Sequence, residues 1–422
     1  MSAEGPPQGA NSAPRGAAQR RQPQAWGDHE SERQYDVAIV GAGLVGLALA
    51  AALARNGMAV AVVDRAPVVA ALADDEADWD ARVYAVSPGS AAFLSALGAW
   101  QRLPSGRMAA IETMEVRGDA RGYLHFDSYE LGERALAWIV ENRELNAALV
   151  ATVRAEPGIT IFAPSAPSAI AWRADAAEVR LAQGATLTAR LIVGADGVHS
   201  WARGEAGISQ APRAYEQIAV VANFACTLAH RGRAFQWFLD GDGVMAWLPL
   251  PGKRVSLVWS APAALAAELR SLAPAALAAR VAAAGGNALG ELELLAPAAS
   301  FPLNFLKLPT VVAPRFALVG DAAHGVHPLA GQGVNLGFGD AQVLASVLAA
   351  RGAVADPGAP ILLERYAQRR AAPVLAMQLV TDGLVRLFGR PEPWVRSARN
   401  RGMRFLGTVG PLRRLLAQPA LR

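Results

Sequence analysis

The feature that most constrains this fold is the hexapeptide GAGLVG, whose fixed positions are Gly41, Gly43 and Gly46. The β-branched run YDVAIV precedes it, the Ala/Leu-rich stretch LALAAALARNG follows it, and a second apolar run, MAVAVVD, ends at Asp64. This order predicts a strand, a helix and a parallel strand, with the helix N-terminus offering free N–H groups to a pyrophosphate. Asp64 lies 18 residues after Gly46 and suits an unphosphorylated ribose, as in FAD or NAD.

Composition narrows the class of protein. With 422 residues, of which 53% are hydrophobic, the chain exceeds the usual size of a single core, which predicts two lobes. Cys226 is the one cysteine, so a disulfide framework and a four-cysteine metal site are excluded. The net charge is +4, and no run of basic residues interleaved with aromatics occurs before the C-terminal tail. The sequence therefore argues against nucleic-acid binding. No stretch reaches about 18 uninterrupted apolar residues, so we expect no membrane span.

Strand-rich blocks interrupt the α/β pattern. The runs MAAIETMEVRG and GVMAWLPL indicate antiparallel strands, whereas ENRELNAALVATVRA and the chain after RFALVGD are helical. We therefore predict an α/β protein with a discontinuous nucleotide-binding domain into which a β-rich lobe is inserted. The predicted boundaries are a disordered leader at 1–34, the nucleotide-binding domain at 35–107, 141–207 and 301–360, the β-rich substrate domain at 108–140 and 208–300, and C-terminal helices with a basic tail at 361–422.

Two further glycine motifs end predicted strands. GADG, from Gly194 to Gly197, reads alone as an ordinary strand-to-helix turn or as a binding loop. In the third motif Gly320-Asp321 leads into HPLAGQGVNLGFGD at 327–340. Asp321 could hold a sugar-like hydroxyl, and the glycines after it could present a row of backbone N–H groups to an anion. His324 and His327 are expected to cap or pack rather than to bind a metal.

In combination the motifs are more specific than each alone. The order GxGxxG, GADG, GD and HPxAGQGxNxGxxD resembles the flavin monooxygenases typified by p-hydroxybenzoate hydroxylase. Within that class the stretch 327–340 is similar, at every fixed position, to the signature of the ubiquinone-biosynthesis ring hydroxylases. DARVYAVS from Asp80 and RNRGM from Arg399 also fit, and the resemblance covers about 35–415.

The resemblance implies a Rossmann-like (GR2-type) FAD-binding domain, an inserted antiparallel β-sheet substrate domain and a C-terminal helical region. It implies that Arg82 reaches the cofactor, that Asp196 serves both FAD and a nicotinamide cofactor, and that Asp321 holds the ribityl chain. Residues assigned to FAD in this way are Gly41, Gly43, Gly46, Asp64, Arg65, Arg82, Asn142, Asp196, Gly320, Asp321, Gly331, Gly333, Val334 and Asn335.

The resemblance places the loop HPLAGQGVN beside the flavin ring. Backbone N–H groups of Gly331–Asn335 are then expected to face the pyrimidine edge, where a helix dipole stabilises the anion of reduced flavin. Pro328 is expected over the ring face toward the substrate, so Pro328, Gly331 and Gln332 are the residues predicted closest to the chemistry. In the β-rich lobe, substrate contact or plain sheet packing both remain open for Phe235, Trp237, Trp247 and Pro249.

The implied reaction is hydroxylation of a polyprenylated phenol or benzoquinol, with NAD(P)H and O2, through a C4a-hydroperoxyflavin. Alternatives are a non-catalytic FAD-binding subunit of a quinone-biosynthesis complex, or a related hydroxylase of another aromatic compound. The single cysteine excludes a flavin disulfide reductase.

The C-terminal tail suggests partners. Segment 386–422 contains nine Arg and one Glu. The arginines between 394 and 406 are interspersed with apolar residues. A basic amphipathic helix of this kind can lie on anionic lipid, or it can be a solvated or partner-docking face. We therefore expect a cytoplasmic protein, with peripheral contact to the inner face of the cytoplasmic membrane through 394–422 and membership of a ubiquinone-biosynthesis complex as further expectations.

Overall fold

The computed structural model describes Met1 and residues 33–70, 78–352 and 355–421. The predicted leader at 1–34 lies outside the described residues, apart from its first residue and its last two. In the described residues the helices are α1 (Leu44–Arg55), α2 (Pro88–Ala96), α3 (Ser128–Leu131), α4 (Asn142–Arg154), α5 (Trp201–Glu205), α6 (Ala263–Ser271), α7 (Pro274–Ala284), α8 (Gly333–Ala349), α9 (Pro360–Phe388), α10 (Pro393–Thr408) and α11 (Gly410–Leu421).

The strands form three sheets. In chain order they are β1 (Arg33–Val40), β2 (Val60–Val63), β3 (Val83–Val86), β4 (Met108–Ile111), β5 (Thr113–Arg117), β6 (Tyr123–Asp127), β7 (Ala137–Glu141), β8 (Ile159–Phe162), β9 (Pro167–Trp172), β10 (Ala177–Leu181), β11 (Thr186–Gly194), β12 (Arg213–Cys226), β13 (Arg233–Leu239), β14 (Gly243–Leu250), β15 (Arg254–Pro262), β16 (Leu292–Leu294), β17 (Ala299–Lys307), β18 (Val312–Ala313), β19 (Phe316–Leu318) and β20 (His324–Gly325).

The first sheet carries the nucleotide-binding pattern. Its order is β18-β19-β11-β1-β2-β8, and β19, β11, β1, β2 and β8 run parallel. One face packs on α1, α4 and α8, whereas the other packs on β10 and α5. Because both faces are covered, β2 reads as an unbroken apolar run, as parallel strands do. The predicted strand–helix–strand unit is confirmed, and after α1 the left-handed Gly57 (φ +79°) turns the chain toward β2.

The second sheet is almost wholly antiparallel, in the order β20-β17-β12-β15-β14-β13-β5-β6. One of its faces is covered by α6 and α7. A three-stranded sheet, β3-β7-β4, packs against the opposite face, where Ala85 and Ile139 meet Ala234 and Leu250. The predicted architecture, an α/β nucleotide-binding part with an inserted antiparallel sheet and C-terminal helices, is the one observed.

The domain boundaries stay a prediction, and strand pairing refines them at one point. Strand β17 pairs with β12 and β20, so residues from 301 to Lys307 continue the second sheet rather than the first. The segment 301–360 therefore changes sheets only after that strand, when β19 joins β11.

Helix α9 lies against the body of the protein. Tyr366 donates to the Leu318 carbonyl (2.7 Å), and Gln378 donates to the Leu306 carbonyl (2.7 Å). Among the described helices, α9 alone is long and apolar enough to cross a membrane by length and composition, although the sequence shows no uninterrupted apolar stretch there. These two hydrogen bonds and the buried Arg370 commit one face of the helix to the protein itself.

Helix α10 is also docked, which changes the interpretation of the basic tail. Arg399 and Arg396 pair with Asp119, and Asn400 accepts from the Gly122 N–H (2.8 Å). Two arginines predicted to face solvent or lipid are therefore engaged within the chain. Arg401 remains exposed on this helix.

Candidate active site

The first two glycine motifs pack directly on each other. A Cβ atom added at Gly46 would lie 2.1 Å from the Gly41 carbonyl oxygen, and one at Gly41 (φ +112°) would lie 2.4 Å from the Ala195 carbonyl oxygen. Neither gap admits a side chain, and the left-handed backbone at Gly41 favours glycine in any case. The helix α1 thus lies close to β1, as the hexapeptide predicts.

Val45 joins the third motif to the first. A Cβ added at Gly337 would lie 2.5 Å from Val45 Cγ2 and 3.2 Å from the Gly320 Cα. Gly320 is left-handed (φ +62°) and faces the same valine. The three motifs, far apart in sequence, therefore converge where α1 and α8 begin.

Three glycines differ from these because their Cβ positions are open. A Cβ added at Gly43, Gly197 or Gly333 would meet nothing within 4 Å. Gly43 is the N-cap of α1, Gly333 is the first residue of α8, and no side chain caps either helix. Free N–H groups with open space in front suit a ligand that approaches the backbone and carries negative charge. The residues present therefore fit a dinucleotide such as FAD.

The carboxylates of the first two motifs organise their own loops. Asp64 accepts from the Ala42 N–H (2.7 Å), inside the hexapeptide, and from the Ala66 N–H (2.8 Å). Asp196 accepts from the Ala202 N–H (3.0 Å) in the first turn of α5 and from the hydroxyl of Ser200, the N-cap of that helix. Both acids lie where the sequence predicts them, although the bonds seen are to protein. The cofactor roles predicted for them, and for the exposed Arg65, stay predictions.

Asp321 interacts electrostatically with Arg82 and His324. Its side chain is accessible to solvent, yet desolvation by the surrounding protein raises the pKa of its carboxyl, which Arg82 and His324 counteract. The Arg82 guanidinium stacks over the Tyr84 ring, 5.3 Å from its centroid. Desolvation raises the pKa of Tyr84 to about 12, so this phenol stays neutral at physiological pH. An accessible but poorly hydrated acid next to an arginine suits a bound polar ligand.

Asn142 lies next to Arg82. Its N–H donates to the Arg82 carbonyl (2.9 Å), where β7 ends and α4 begins. The structure therefore brings these two predicted cofactor residues together, at the edge of the three-stranded sheet. The contact seen is through the backbone, and the contact of Asn142 with FAD stays a prediction.

A buried ionic network supports the third motif from behind. Asp340 accepts from Arg370 Nε (2.6 Å) and the Gly320 N–H (2.9 Å), and it pairs with His324 Nε2 (2.6 Å). His324 and Arg370 hold the pKa of Asp340 below its usual range, against the effect of burial. Asp340 is the last fixed position of the motif at 327–340, and the sequence alone predicted no role for it.

The loop that leads into α8 is held on β3. Asn335 donates to the Ala85 carbonyl (2.8 Å) and accepts from the Ser87 N–H (3.0 Å), and Gln332 accepts from Asn335 (3.1 Å). Gly331 is left-handed (φ +62°), and an added Cβ would lie 3.1 Å from Ala85 Cβ. The side chains of Gln332 and Asn335 thus act within the protein, which leaves the backbone of the loop as the part that can meet a ring.

The side chains next to that loop are buried. Val334 packs into the core beneath α8. His327 pairs with Gln217 Oε1 through Nε2 (2.8 Å) and stands edge-on to Tyr215 at 5.0 Å. Desolvation lowers the pKa of His327 to about 4, so the imidazole is neutral at physiological pH. No group of three or more potential metal ligands among His, Cys, Asp and Glu occurs in the described part of the chain.

Substrate contact and sheet packing were both open for Phe235, Trp237 and Trp247, and in the structure these residues pack in the sheet. These three rings are 2%, 6% and 0% exposed, and they pack with Val281 and other residues of α6 and α7 in the core of the second sheet. Pro249 is buried on the same strand, two residues after Trp247. Side chains alternate across a sheet, so all four point away from the side on which the glycine motifs lie.

The opposite face of the second sheet meets the nucleotide-binding part. Gln217 pairs with His327, and Asn223 donates to the Asp80 carbonyl (2.9 Å). Across this face the strand register aligns Val221, Val258 and Ala246. These residues are small, so the sequence offered no aromatic signal that could have identified them.

Comparison with known proteins agrees with this geometry. Residues 34–381 match the family model described as FAD binding domain. A protein of Rhodospirillum rubrum named ubiquinone hydroxylase UbiL is 37% identical over 392 residues, 93% of this chain and 90% of the relative. The 3-demethoxyubiquinol 3-hydroxylase of Escherichia coli is 35% identical, over 92% of this chain and 98% of the relative.

The chain belongs to the ubiquinone-biosynthesis family of FAD-dependent hydroxylases. It is therefore an FAD-dependent monooxygenase. A ubiquinone biosynthesis monooxygenase, COQ6, of Homo sapiens is 32% identical over 92% of this chain and 92% of the relative. Among solved structures, Pseudomonas aeruginosa PqsL in complex with 2-aminobenzoylacetate superposes with a TM-score of 0.72, at 25% identity, over 86% of this chain and 99% of that chain.

Proposed function

We propose that this monooxygenase hydroxylates the ring of a polyprenylated phenol or benzoquinol intermediate of ubiquinone biosynthesis, with NAD(P)H as reductant and O2 as oxygen donor. The main observation behind the proposal is that α1 and α8 begin close together, at Gly43 and Gly333, and that both glycines have free space at the Cβ position. The names of the relatives, a ubiquinone hydroxylase and a demethoxyubiquinol hydroxylase, support the substrate class.

When bound, FAD supplies the activation of oxygen, and the chain supplies position and electrostatics. The N–H groups at the start of α8 favour negative charge on a ligand there, by about 0.3–1 kcal/mol for the dipole alone. Arg82 and Asp321 suit the polar part of the cofactor. Gly43 and its helix suit the pyrophosphate.

The substrate ring then lies between Pro328 and the second sheet. Support comes from Leu329, which packs on Phe238 and Val244 of the face opposite to the aromatic core. Gln217 lies beside it through its bond to His327. Val221, Val258 and Ala246 on this side of the sheet are small and apolar, which suits an aromatic ring and keeps water from the reaction.

Purified protein tests the proposal. We expect a demethoxyubiquinol analogue to stimulate NAD(P)H oxidation and to gain one oxygen atom, read by mass spectrometry. Complementation of strains that each lack one ubiquinone ring hydroxylase then identifies the position hydroxylated. Stimulated NAD(P)H oxidation that ends only in hydrogen peroxide, with every analogue, would contradict the proposal.

Two other functions are compatible with the same site. A non-catalytic FAD-binding subunit of a quinone-biosynthesis complex would bind FAD but form no hydroxylated product. A hydroxylase of another aromatic compound would form product only from rings without a polyprenyl chain. Both outcomes are separated by the same assay.

We also propose a cytoplasmic location, with contact to the inner face of the cytoplasmic membrane and to other proteins of ubiquinone biosynthesis. The proposed lipid contact within 394–422 rests on Arg401 and Arg404, with Trp394 and Phe405 exposed by 74% and 63%. Replacing both arginines by Gln should weaken binding to vesicles that contain anionic phospholipid. Unchanged binding would refute this contact.

A further inference from the structure

A cavity opens on the far side of the second sheet from α6 and α7, at helix α9. Its volume is about 420 Å³, within the range of small-molecule sites. Its walls come from the start of β12, the end of β17 and the exposed face of α9. Residues on which the inference depends are Arg213, Phe305, Leu375, Leu379, Asp382 and Arg386.

The lining is mostly apolar, and its polar members are two glutamines, Lys307 and an ion-paired group at the rim. Leu375 and Leu379 are 41% and 64% exposed, although both are large hydrophobic side chains. Asp382 accepts from Arg213 (3.1 Å) and pairs with Arg386 (2.8 Å), so these rim charges are satisfied by one another. The stems of the two arginines extend the hydrocarbon surface. The cavity therefore suits a neutral hydrocarbon ligand.

Aromatic rings connect the cavity with the predicted reaction centre. Phe305, in the cavity wall, stands edge-on to Tyr215 at 6.0 Å. Tyr215 in turn stands edge-on to His327 at 5.0 Å, and His327 immediately precedes Pro328. Two ring contacts thus separate the cavity from the loop that faces the substrate ring.

We infer that this cavity binds the isoprenoid tail of the substrate while the ring reaches the loop at Pro328. The inference rests on the proposed function, since only a tailed substrate needs such a site. In this arrangement the tail runs from the loop at His327 past Tyr215 and Phe305 to the cavity wall at Leu375 and Leu379.

The test compares two neighbouring residues of α9 in the full-length, FAD-loaded enzyme. Leu379 lines the cavity, whereas Val380 is 55% exposed and lies outside it. Substrates are a demethoxyubiquinol with a farnesyl chain and the same ring with a methyl group in its place. For Leu379→Gln we expect the ratio of kcat/KM, farnesyl over methyl, to fall about tenfold, mainly through KM, since the hydrocarbon contact is lost. Val380→Gln should leave the ratio within about twofold of the wild type.

A second variant and a direct measurement guard against a folding artefact. Leu375→Gln should lower the same ratio, and calorimetric titration with the farnesyl quinone should show weaker binding to both cavity variants. Equal loss in Leu379→Gln and Val380→Gln would overturn the inference and indicate that this helix face contacts a bilayer instead. An unchanged ratio in both cavity variants would also overturn it. If the wild type hydroxylates neither substrate, the proposed function fails, an outcome distinct from the loss of the tail site alone.

Discussion

The starts of α1 and α8 are built on the same plan. Each begins at a glycine with open space before it, Gly43 or Gly333, and each has a second glycine within its first turns, Gly46 or Gly337, that is packed against another element. Val45 lies between them and touches both Gly320 and Gly337. The two helices therefore present their N–H groups in one region while their first turns interlock.

They differ in what holds them there. The start of α1 rests on backbone, since carbonyl oxygens leave no room for a Cβ at Gly41 or Gly46, and Asp64 bonds to a loop N–H from a half-exposed position. The start of α8 rests on the buried charge of Asp340, which binds the Gly320 N–H and Arg370.

The largest expected effect is on the buried network. Asp340→Asn leaves Arg370 buried without a charged partner, so we expect the free energy of unfolding to fall by about 3–5 kcal/mol. The matched change Asp64→Asn, at α1, should cost about 1 kcal/mol, because it weakens only hydrogen bonds to backbone N–H groups. Denaturant unfolding of FAD-free protein at pH 7 measures both. Equal losses of unfolding free energy in the two variants would show that the starts of α1 and α8 are not held in different ways.

The loop before α8 also makes stability depend on pH. Burial lowers the pKa of His327 from 6.5 to about 4, so between these values the unfolded chain binds a proton that the folded chain does not. Stability from this group is complete above pH 6.5 and is lost as the pH falls toward 4, by on the order of 3 kcal/mol. His327→Gln should flatten that part of the unfolding-versus-pH curve. A slope that is the same in both proteins would show that another group is responsible.

Packed and open glycines of α1 should respond differently. We expect Gly46→Ala to lower the free energy of unfolding by about 1–3 kcal/mol, since the new Cβ meets a carbonyl oxygen. Gly43→Ala should change it by less than about 0.5 kcal/mol in FAD-free protein. Thermal unfolding without cofactor compares the two. If Gly43→Ala is as damaging as Gly46→Ala, the space before Gly43 has a structural role.

A substitution at the start of α8 should have the smallest effect on stability. Its effect should be on FAD affinity instead. Gly333→Val places a branched side chain in the open space, so FAD affinity should fall at least about tenfold, or about 1.4 kcal/mol, with the fold retained. Gly402→Val on α10, another helical glycine with open space, is the control and should leave FAD binding unchanged. Normal FAD content together with a normal rate of flavin reduction in Gly333→Val would refute the assignment of this loop to the ring.

Sequence patterns predicted well where the requirement is local. The stretch LALAAALARNG, predicted as a helix, forms α1 and is followed by the left-handed Gly57, and ENRELNAALVATVRA, also predicted as helical, is observed as Asn142–Arg154. Patterns failed for the sheet. Alternation along β13 and β14 separates two faces, but it does not say which face a helix will cover, and the aromatic face at Trp247 was covered by α6 and α7.

The sequence by itself therefore determined the strand–helix–strand unit, the glycines that permit close approach, and the family, because those depend on backbone conformation within a few residues. Only the tertiary structure decided that Asp340 pairs with Arg370, that the small-residue face of the second sheet meets the loop before α8, and that arginines of α10 are bound to Asp119. Such choices are made by packing between elements far apart in the chain. The role of a buried charge or an exposed leucine depends on which residues pack against it in the folded protein.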